Sequence, residues 1–335
     1  MATGTVLITG ANGSLGIPAA KYLLTHYANY TALLTVRNPS DENTEKLRAT
    51  LSAFPEERYS IHQLDLGHLA GVKDFAEEIK GEIATGKIAP LAAIVCNAYT
   101  WSIINGLKLT VDGYESSMAV NHLAHLKLVL GLIDSFGPEH GKIVVLGSDS
   151  HYPAKSGLEQ FPPHLPEDLD LLVKPGVDKE GEEVGRGFQR YGLSKAVAIM
   201  CAYQLQKRLK KVPDPKLSKI SVVSMDPGGM TDARAMSTGV PTAWKIMMKG
   251  VLNPLRPVLK FLIPTLRTTT LAAKDLIEIA VGDDYRDADG YYLMSSKDSS
   301  SPETLDEKKQ EMVWKKSLQW ASISPDETAL KTAFD

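Results

Sequence analysis

Tyr191 and Lys195 stand four residues apart in the stretch "RYGLSKAVA", residues 190–198. On a helix, positions i and i+4 share one face, so the phenol and the ammonium project into the same space. A free tyrosine has a pKa of about 10, too high for efficient proton exchange near neutrality. An adjacent ammonium favours the phenolate and lowers that value, moving the phenol toward the range where a general acid–base works. The same spacing also occurs on plain helix surfaces, so the pair acquires meaning only from what surrounds it.

A second stretch is "TVLITGANGSLG", residues 5–16. Gly10, Gly13 and Gly16, with Asn12, Ser14 and Leu15 between them, follow an apolar β-branched run and open a helical pattern. Glycines at such a turn let backbone N–H groups approach a pyrophosphate at the helix N-terminus. The strand–turn–helix context is the one a dinucleotide site needs.

Both stretches require a frame. Short apolar runs at 5–9, 31–36, 59–66, 91–98, 141–148 and 219–228 read as strands. Helical patterns alternate with them at 14–27, 69–83, 113–133 and from Tyr191 to Leu209. The run "LAAIVCNA" is apolar without interruption, as expected of a strand buried on both faces. This alternation predicts an α/β fold, a Rossmann-type doubly wound parallel sheet, formed by one domain over 1–335. Residues 149–188 and 230–267 break the rhythm with prolines and no clear period, and read as excursions over the cleft. From about Ser295 a charged C-terminal extension carries a helical pattern, docked through Val313, Trp314 and Leu318.

The bulk numbers exclude some classes. With 43% hydrophobic and 23% charged residues, the chain has enough apolar material for a core without a metal or disulfide staple. A formal net charge of −3 leaves no electrostatic footprint for nucleic acid. Cys96 and Cys201 read as buried small hydrophobes, and no Cys/His cluster has metal-ligand spacing. The N-terminus does not resemble a signal peptide. The most membrane-like stretch, 244–264, is broken by Pro254 and Pro257 and by four basic residues. A cytoplasmic protein without a spanning helix is expected, with peripheral membrane contact and a homodimer left open.

The ordered motifs resemble the short-chain dehydrogenase/reductase family. Thr9, Gly10 and Gly16 match its Thr-Gly-x-x-x-Gly-x-Gly loop, with Ser14 at the middle glycine. Gly13 fits instead the variant of the family's extended branch. "CNAY" is similar to the Asn-Asn-Ala-Gly segment, with Tyr99 at the glycine. "VNHLAHLKLV", "VVLGSDSH", "YGLSK" and "DPGGMTD" follow in the family's order and favour its classical branch, nearest the retinol dehydrogenase and protochlorophyllide reductase-like group. The resemblance covers residues 5 to about 232.

It implies roles. Ser148 and Tyr191 would donate hydrogen bonds to a substrate carbonyl, and Tyr191 would protonate its oxygen. Lys195 would hold the nicotinamide ribose, and Asn121 would keep a water linking Lys195 to solvent. Asn97, Ala98, Pro227, Gly228 and Thr231 would line the cofactor site, with Thr231 one residue early, and Asp65 and Leu66 would flank the adenine. The tip of the second strand, "LLTVRNPS", has no acid and offers Arg37, which accommodates a 2′-phosphate; the implied cofactor is NADP(H). His151 reads as a pocket-wall residue, and Asp149 and Tyr99 as residues shaping the pocket.

The leading expectation is NADPH-dependent reduction of a ketone or aldehyde, or the reverse alcohol oxidation. Leu158, Phe161, Trp244, Met247, Met248, Leu252 and Leu255 suggest a bulky hydrophobic substrate such as a polyketide, terpenoid, sterol or retinoid. The alternatives are an NADP-binding sensor without turnover, and a non-redox cyclisation or epimerisation on the same fold.

Overall fold

The computed structural model describes residues 3–157 and 159–335. Leu158, expected in the substrate cleft, lies outside the described residues. The chain begins β1 (Gly4–Ile8), α1 (Gly16–His26), β2 (Tyr30–Val36), α2 (Glu42–Leu51), β3 (Tyr59–Gln63), α3 (Leu69–Ala84) and β4 (Leu91–Cys96). Next, α4 (Ser116–Met118) runs through a π turn (Ala119–Leu123) into α5 (Ala124–Gly131). β5 (Gly141–Leu146), α6 (Glu183–Leu209) and β6 (Ile220–Asp226) follow. After β6 come β7 (Gly229–Met230), α7 (Thr242–Met247), a second π turn (Met248–Leu252), α8 (Asn253–Leu259) and β8 (Leu266–Arg267). The chain closes with α9 (Thr269–Val281), β9 (Gly290–Leu293), β10 (Ser296–Asp298) and α10 (Glu307–Trp320).

The main sheet has eight strands in the order β10-β9-β6-β5-β4-β1-β2-β3. Every neighbouring pair is parallel except β10 with β9. The chain leaves β1 toward β2 on one side and returns through β4 on the other. That reversal opens a crevice at the carboxyl ends of β1 and β4, where open α/β sheets take their ligands. One face is packed by α1, α2 and α9, through Leu23, Leu47 and Leu276 among others. The other is packed by α3, α5, α6 and α10.

Strand ends differ from the sequence expectation in a consistent way. β4, β5 and β6 stop about two residues before the apolar runs do, and the tips Asn97–Ala98, Gly147–Ser148 and Pro227–Gly228 leave the ladder. The site is built from those tips. The largest departure is α6, expected from Tyr191 but beginning at Glu183. Gly185, Gly187 and Gly192 look like helix breakers. They are needed because α6 lies flush against the loops: a Cβ on Gly187 would overlap the Ser102 carbonyl, and one on Gly192 the Ser150 carbonyl. The excursion after β5 therefore ends two turns earlier than expected, and Arg190 pins it through a paired contact to Asp178, 2.9 Å for Nη2 to Oδ2.

The C-terminal extension packs as the sequence suggests. Trp314 and Val313 are fully buried, and the Trp314 indole donates to the Ala333 carbonyl at 2.7 Å. Cys96 and Cys201 are buried free thiols, both pushed up to about 12 by burial. Among the described residues, no helix is long and apolar enough to cross a membrane.

Candidate active site

The glycine turn is held from beneath. Thr9 is fully buried, and its Oγ1 accepts from the N–H groups of Asn97 and Ala98, both at 3.0 Å. The Thr9 hydroxyl faces His125 Nε2 at 2.9 Å, and His125 Nδ1 donates to the Asn121 carbonyl at 3.3 Å. Asn97 returns its amide to the carbonyls of Thr9 and Gly10, at 2.7 and 3.1 Å. Thr9 and Asn97 thus clamp β1 to β4 and shape the turn, rather than offering their side chains outward. Gly10 has a φ of +61° and lies where a Cβ would come within 2.9 Å of Ala98. Leu15 stands at the N-cap of α1 and supplies no capping side chain, whereas Asp41, Thr268 and Asp306 cap α2, α9 and α10. In the first turn of α1 the Ile17 N–H already donates to the Gly13 carbonyl at 3.1 Å and Pro18 carries none, so among the described residues the N–H groups of Leu15 and Gly16 are the ones open to a ligand.

At the tip of β2, Arg37 is exposed. Among the described residues its guanidinium has no hydrogen bond or ion pair. Asn12 reaches toward the same tip and donates to Thr44 Oγ1 at 2.9 Å. Asp65 is exposed beyond β3 and accepts from the Gly67 N–H at 2.8 Å, and Leu66 is buried beside it.

Tyr191 and Lys195 project from the middle of α6, both buried. Lys195 Nζ donates to the Leu146 carbonyl at 2.7 Å and sits 5.7 Å from the centre of the Tyr191 ring. Burial pushes the amine down to about 8, while Asp226 props it up. The phenol departs from the sequence expectation. Burial holds Tyr191 well above its ordinary value, Tyr99 adds to this, and a hydrogen bond with Ser148 pulls it back. Burial, not the neighbouring amine, dominates the shift, and Lys195 directs its Nζ to the Leu146 carbonyl.

Ser148 lies just beyond β5, and its hydroxyl donates to Asp149 Oδ1 at 3.3 Å. His151 is not a pocket wall. It is buried, its Nδ1 donates to the Ser148 carbonyl at 2.5 Å, and its Nε2 accepts from the Ser301 N–H at 3.0 Å. It is a strut from the serine to the C-terminal extension. Asn121 sits inside the first π turn, with its side chain spent on Thr100 N (2.8 Å), Thr100 O (3.1 Å) and Ser194 Oγ (2.9 Å). The side chain fastens the Tyr99–Trp101 loop to α6, which is a positioning task. Tyr99 and Trp101 ring centres lie 5.9 and 5.3 Å from that of Tyr191.

The segment after β6 covers the site. Pro227 and Gly228 turn the chain, and Gly228 adopts a φ of +80°. Thr231 is buried, accepting from Arg256 at 2.9 Å and facing Asn253 at 3.3 Å, so its hydroxyl braces α8. Trp244 lies 6.4 Å from Phe188, which in turn lies 6.3 Å from Tyr191. Leu255, expected in the cleft, points outward at 49% exposure. Phe161 packs under the Arg186 guanidinium, 3.8 Å from its ring centre.

Two contributors escaped the sequence reading. Asp226 ends β6 beneath Lys195, its carboxyl pushed up to about 6 by burial and by Asp149. Its signal was present, an acid directly before Pro-Gly. Arg234 donates its main-chain N–H to Ser14 Oγ at 2.9 Å and its guanidinium to Asn43, closing over the glycine turn. No spacing in the sequence joins residues 14 and 234.

The model of the short chain dehydrogenase family matches residues 4–157, and that of the AcuH dehydrogenase domain matches residues 233–330. The short-chain dehydrogenase iccH of Talaromyces variabilis is 34% identical over 369 aligned positions, covering 98% of each chain. This chain belongs to the short-chain dehydrogenase/reductase family. The chloroplastic protochlorophyllide reductase of Daucus carota is 30% identical over 149 residues, 43% of this chain and 35% of that one. Among solved structures, the angucycline C-6 ketoreductase LanV with bound NADP has a TM-score of 0.58 at 19% identity, covering 88% and 95% of the two chains. That likeness is one of fold. Short-chain dehydrogenases/reductases are oxidoreductases, and this chain is one on the strength of the full-length relative.

Proposed function

We propose that this protein reduces a ketone or aldehyde on a bulky hydrophobic substrate, with NADPH as the reductant. The observation that carries the reading is an arrangement: the Tyr191 phenol stands beside the Ser148 hydroxyl, and Lys195 lies one turn along the same helix, 5.7 Å from the Tyr191 ring centre. Reduction needs a proton donor at the carbonyl oxygen, and the phenol is one.

The residues fit a dinucleotide. An uncapped α1 behind a glycine turn suits a pyrophosphate, and Lys195 would hold the ribose. The Arg37 guanidinium, unpaired among the described residues, suits a 2′-phosphate, and the tip of β2 itself carries no acid to select a 2′-hydroxyl. The NADP bound to LanV agrees with this choice. A bound reduced nicotinamide supplies a hydride to the carbonyl carbon. The Ser148 and Tyr191 hydroxyls donate to the carbonyl oxygen and orient it. As negative charge builds there, Tyr191 passes its proton to the oxygen, giving the alcohol. Asn121 keeps the Tyr99–Trp101 loop against α6, and Tyr99, Trp101, Phe188 and Trp244 exclude water. This aromatic wall favours a polyketide, terpenoid, sterol or retinoid carbonyl over a small polar one.

The test is a panel of such carbonyls, with NADPH followed by absorbance and the alcohol identified by mass spectrometry. Turnover with at least one member is expected. Tight NADPH binding without oxidation on any member would make the protein a sensor, and a product of unchanged oxidation state would point to cyclisation or epimerisation.

A further inference from the structure

The segment after β6 that covers the site, residues 230–267, forms a lid whose outer face is unlike the rest of the surface. Ile246, Val251, Leu255, Val258, Phe261, Leu262 and Ile263 are each 44–79% exposed, crowded into eighteen residues. Their order is not random. Leu255 and Val258 share a face of α8, with Val251 in the π turn before it and Leu262 in the turn after it, at the spacing i, i+4, i+7, i+11. Ile246 precedes Val251 by five residues across the second π turn, whose wider winding keeps it on the same stripe. The inner side carries Trp244, stacked edge-on against Phe188. The lid thus has one apolar side turned to the cleft and another turned to solvent.

The charge around this stripe is one-sided. From Ala233 to Lys274 the sequence holds seven basic residues and no acidic one, in a chain whose formal net charge is −3. Some of these cations are spent internally: Arg267 pairs with Asp275 at 2.7 Å, and Arg256 braces Thr231. Lys245 and Lys260 flank the apolar stripe, and Lys260 Nζ lies 5.3 Å over the Phe261 ring. An exposed apolar helix face bordered by lysines matches a bilayer interface, where acyl chains take the apolar side and anionic headgroups the cations. A contiguous patch of this kind marks an interaction site. A second copy of the chain would bring the same cations against each other, which disfavours a self-contact here.

We propose that the face formed by α7, the π turn, α8 and residues 260–263 docks the protein onto an anionic membrane surface. The inference is independent of the proposed chemistry, since it rests on the outer side of the lid alone. The test is co-sedimentation of the full chain with vesicles of phosphatidylcholine, with and without phosphatidylserine. Binding is expected to the anionic vesicles, at least about tenfold stronger than to the neutral ones, since each basic residue near such a surface contributes about 1 kcal/mol. The double variant Phe261→Ser/Leu262→Ser, at positions 78% and 79% exposed, is expected to lose most of that binding while retaining its circular dichroism spectrum. Lys245→Glu/Lys260→Glu is expected to abolish the preference for anionic lipid. No sedimentation with either vesicle, or equal binding by wild type and the Phe261→Ser/Leu262→Ser variant, overturns the proposal. So does a wild-type dimer that becomes monomeric in that variant without any vesicle binding.

Discussion

The main-chain N–H of Arg234 donates to the Ser14 hydroxyl at 2.9 Å, joining two residues 220 positions apart. The bond fastens the first turn of the lid to the middle of the glycine turn. A neutral hydrogen bond of this sort contributes about 0.5–1.5 kcal/mol. Ser14→Ala is therefore expected to speed NADPH release about two- to tenfold, read by stopped-flow fluorescence. An unchanged release rate would mean the contact does not latch the lid.

Tyr191→Phe removes the proton donor and keeps the ring that packs against Tyr99, Trp101 and Phe188. General acid catalysis is worth about 10²–10⁴-fold, so kcat should fall by that factor while the NADPH dissociation constant stays within about twofold. Retained turnover in a folded variant would reassign the proton to another group.

Arg37 should read the 2′-phosphate. Hydrogen bonds to charged groups contribute about 1.5–3 kcal/mol, roughly ten- to a hundredfold in affinity. Arg37→Ala is expected to weaken NADPH by that amount and to leave NADH nearly untouched, in paired binding titrations. Equal losses would make Arg37 structural.

Cofactor binding should have an alkaline limb. The Lys195 amine is pushed down to about 8, so its charge disappears as pH rises through that value, and affinity for NADPH should decline with it. Asp226 stabilises the ammonium. Asp226→Asn should therefore move the limb to lower pH, in NADPH titrations between pH 6 and 10. A limb that stays in place, or moves upward, would remove Asp226 from the site.

Acid should unfold the protein partly through two histidines. Burial pushes His125 down to about 4 and His122 to about 3, against an unfolded value of about 6.5. Above about pH 6.5 neither state takes up the proton. Below it the unfolded chain does and the folded one does not, so stability drains away as pH falls toward about 4. At about 1.4 kcal/mol per pH unit and per group, His125 alone accounts for a loss of about 3 kcal/mol. His122, whose Nε2 meets Ser317 Oγ on α10 at 2.8 Å, can be tested separately. Denaturant unfolding of His122→Gln at pH 7, 6, 5 and 4 should show a shallower decline than wild type, and parallel declines would refute its part.

Much of the frame was legible because its signals are local. Short apolar runs mark β1, β2, β4, β5 and β6, the run of β4 without interruption, and the glycine turn sits between a strand and a helix as a dinucleotide site requires. Tyr191 and Lys195 lie on α6, Ser148 lies just beyond β5 and the Gly10 turn just beyond β1, all at positions the local patterns mark. What stayed hidden depends on contacts far apart in the chain. The Asn121 amide is consumed by Thr100 and Ser194, and His151 is drawn away to Ser301. The raised phenol of Tyr191 reflects burial, which spacing does not reveal, and the helical spacing to Lys195 suggested the opposite sign. α2 and α9 carry capping residues, Asp41 and Thr268, that the strand–helix alternation left unassigned.

Gly192 shows how an absent side chain can set the geometry of present ones. Because position 192 has no Cβ, α6 rests directly on the Ser150 carbonyl, and Pro163 closes in from the same side. The approach of α6, which carries Tyr191, to the loop that carries Ser148 is thereby limited by a backbone-to-backbone contact. The gap tolerates no spacer. Even an alanine at 192 would wedge the helix away from the loop after β5, and a residue with no reactive atom would behave genetically as part of the reaction centre. Variation there is constrained by thickness rather than by chemistry.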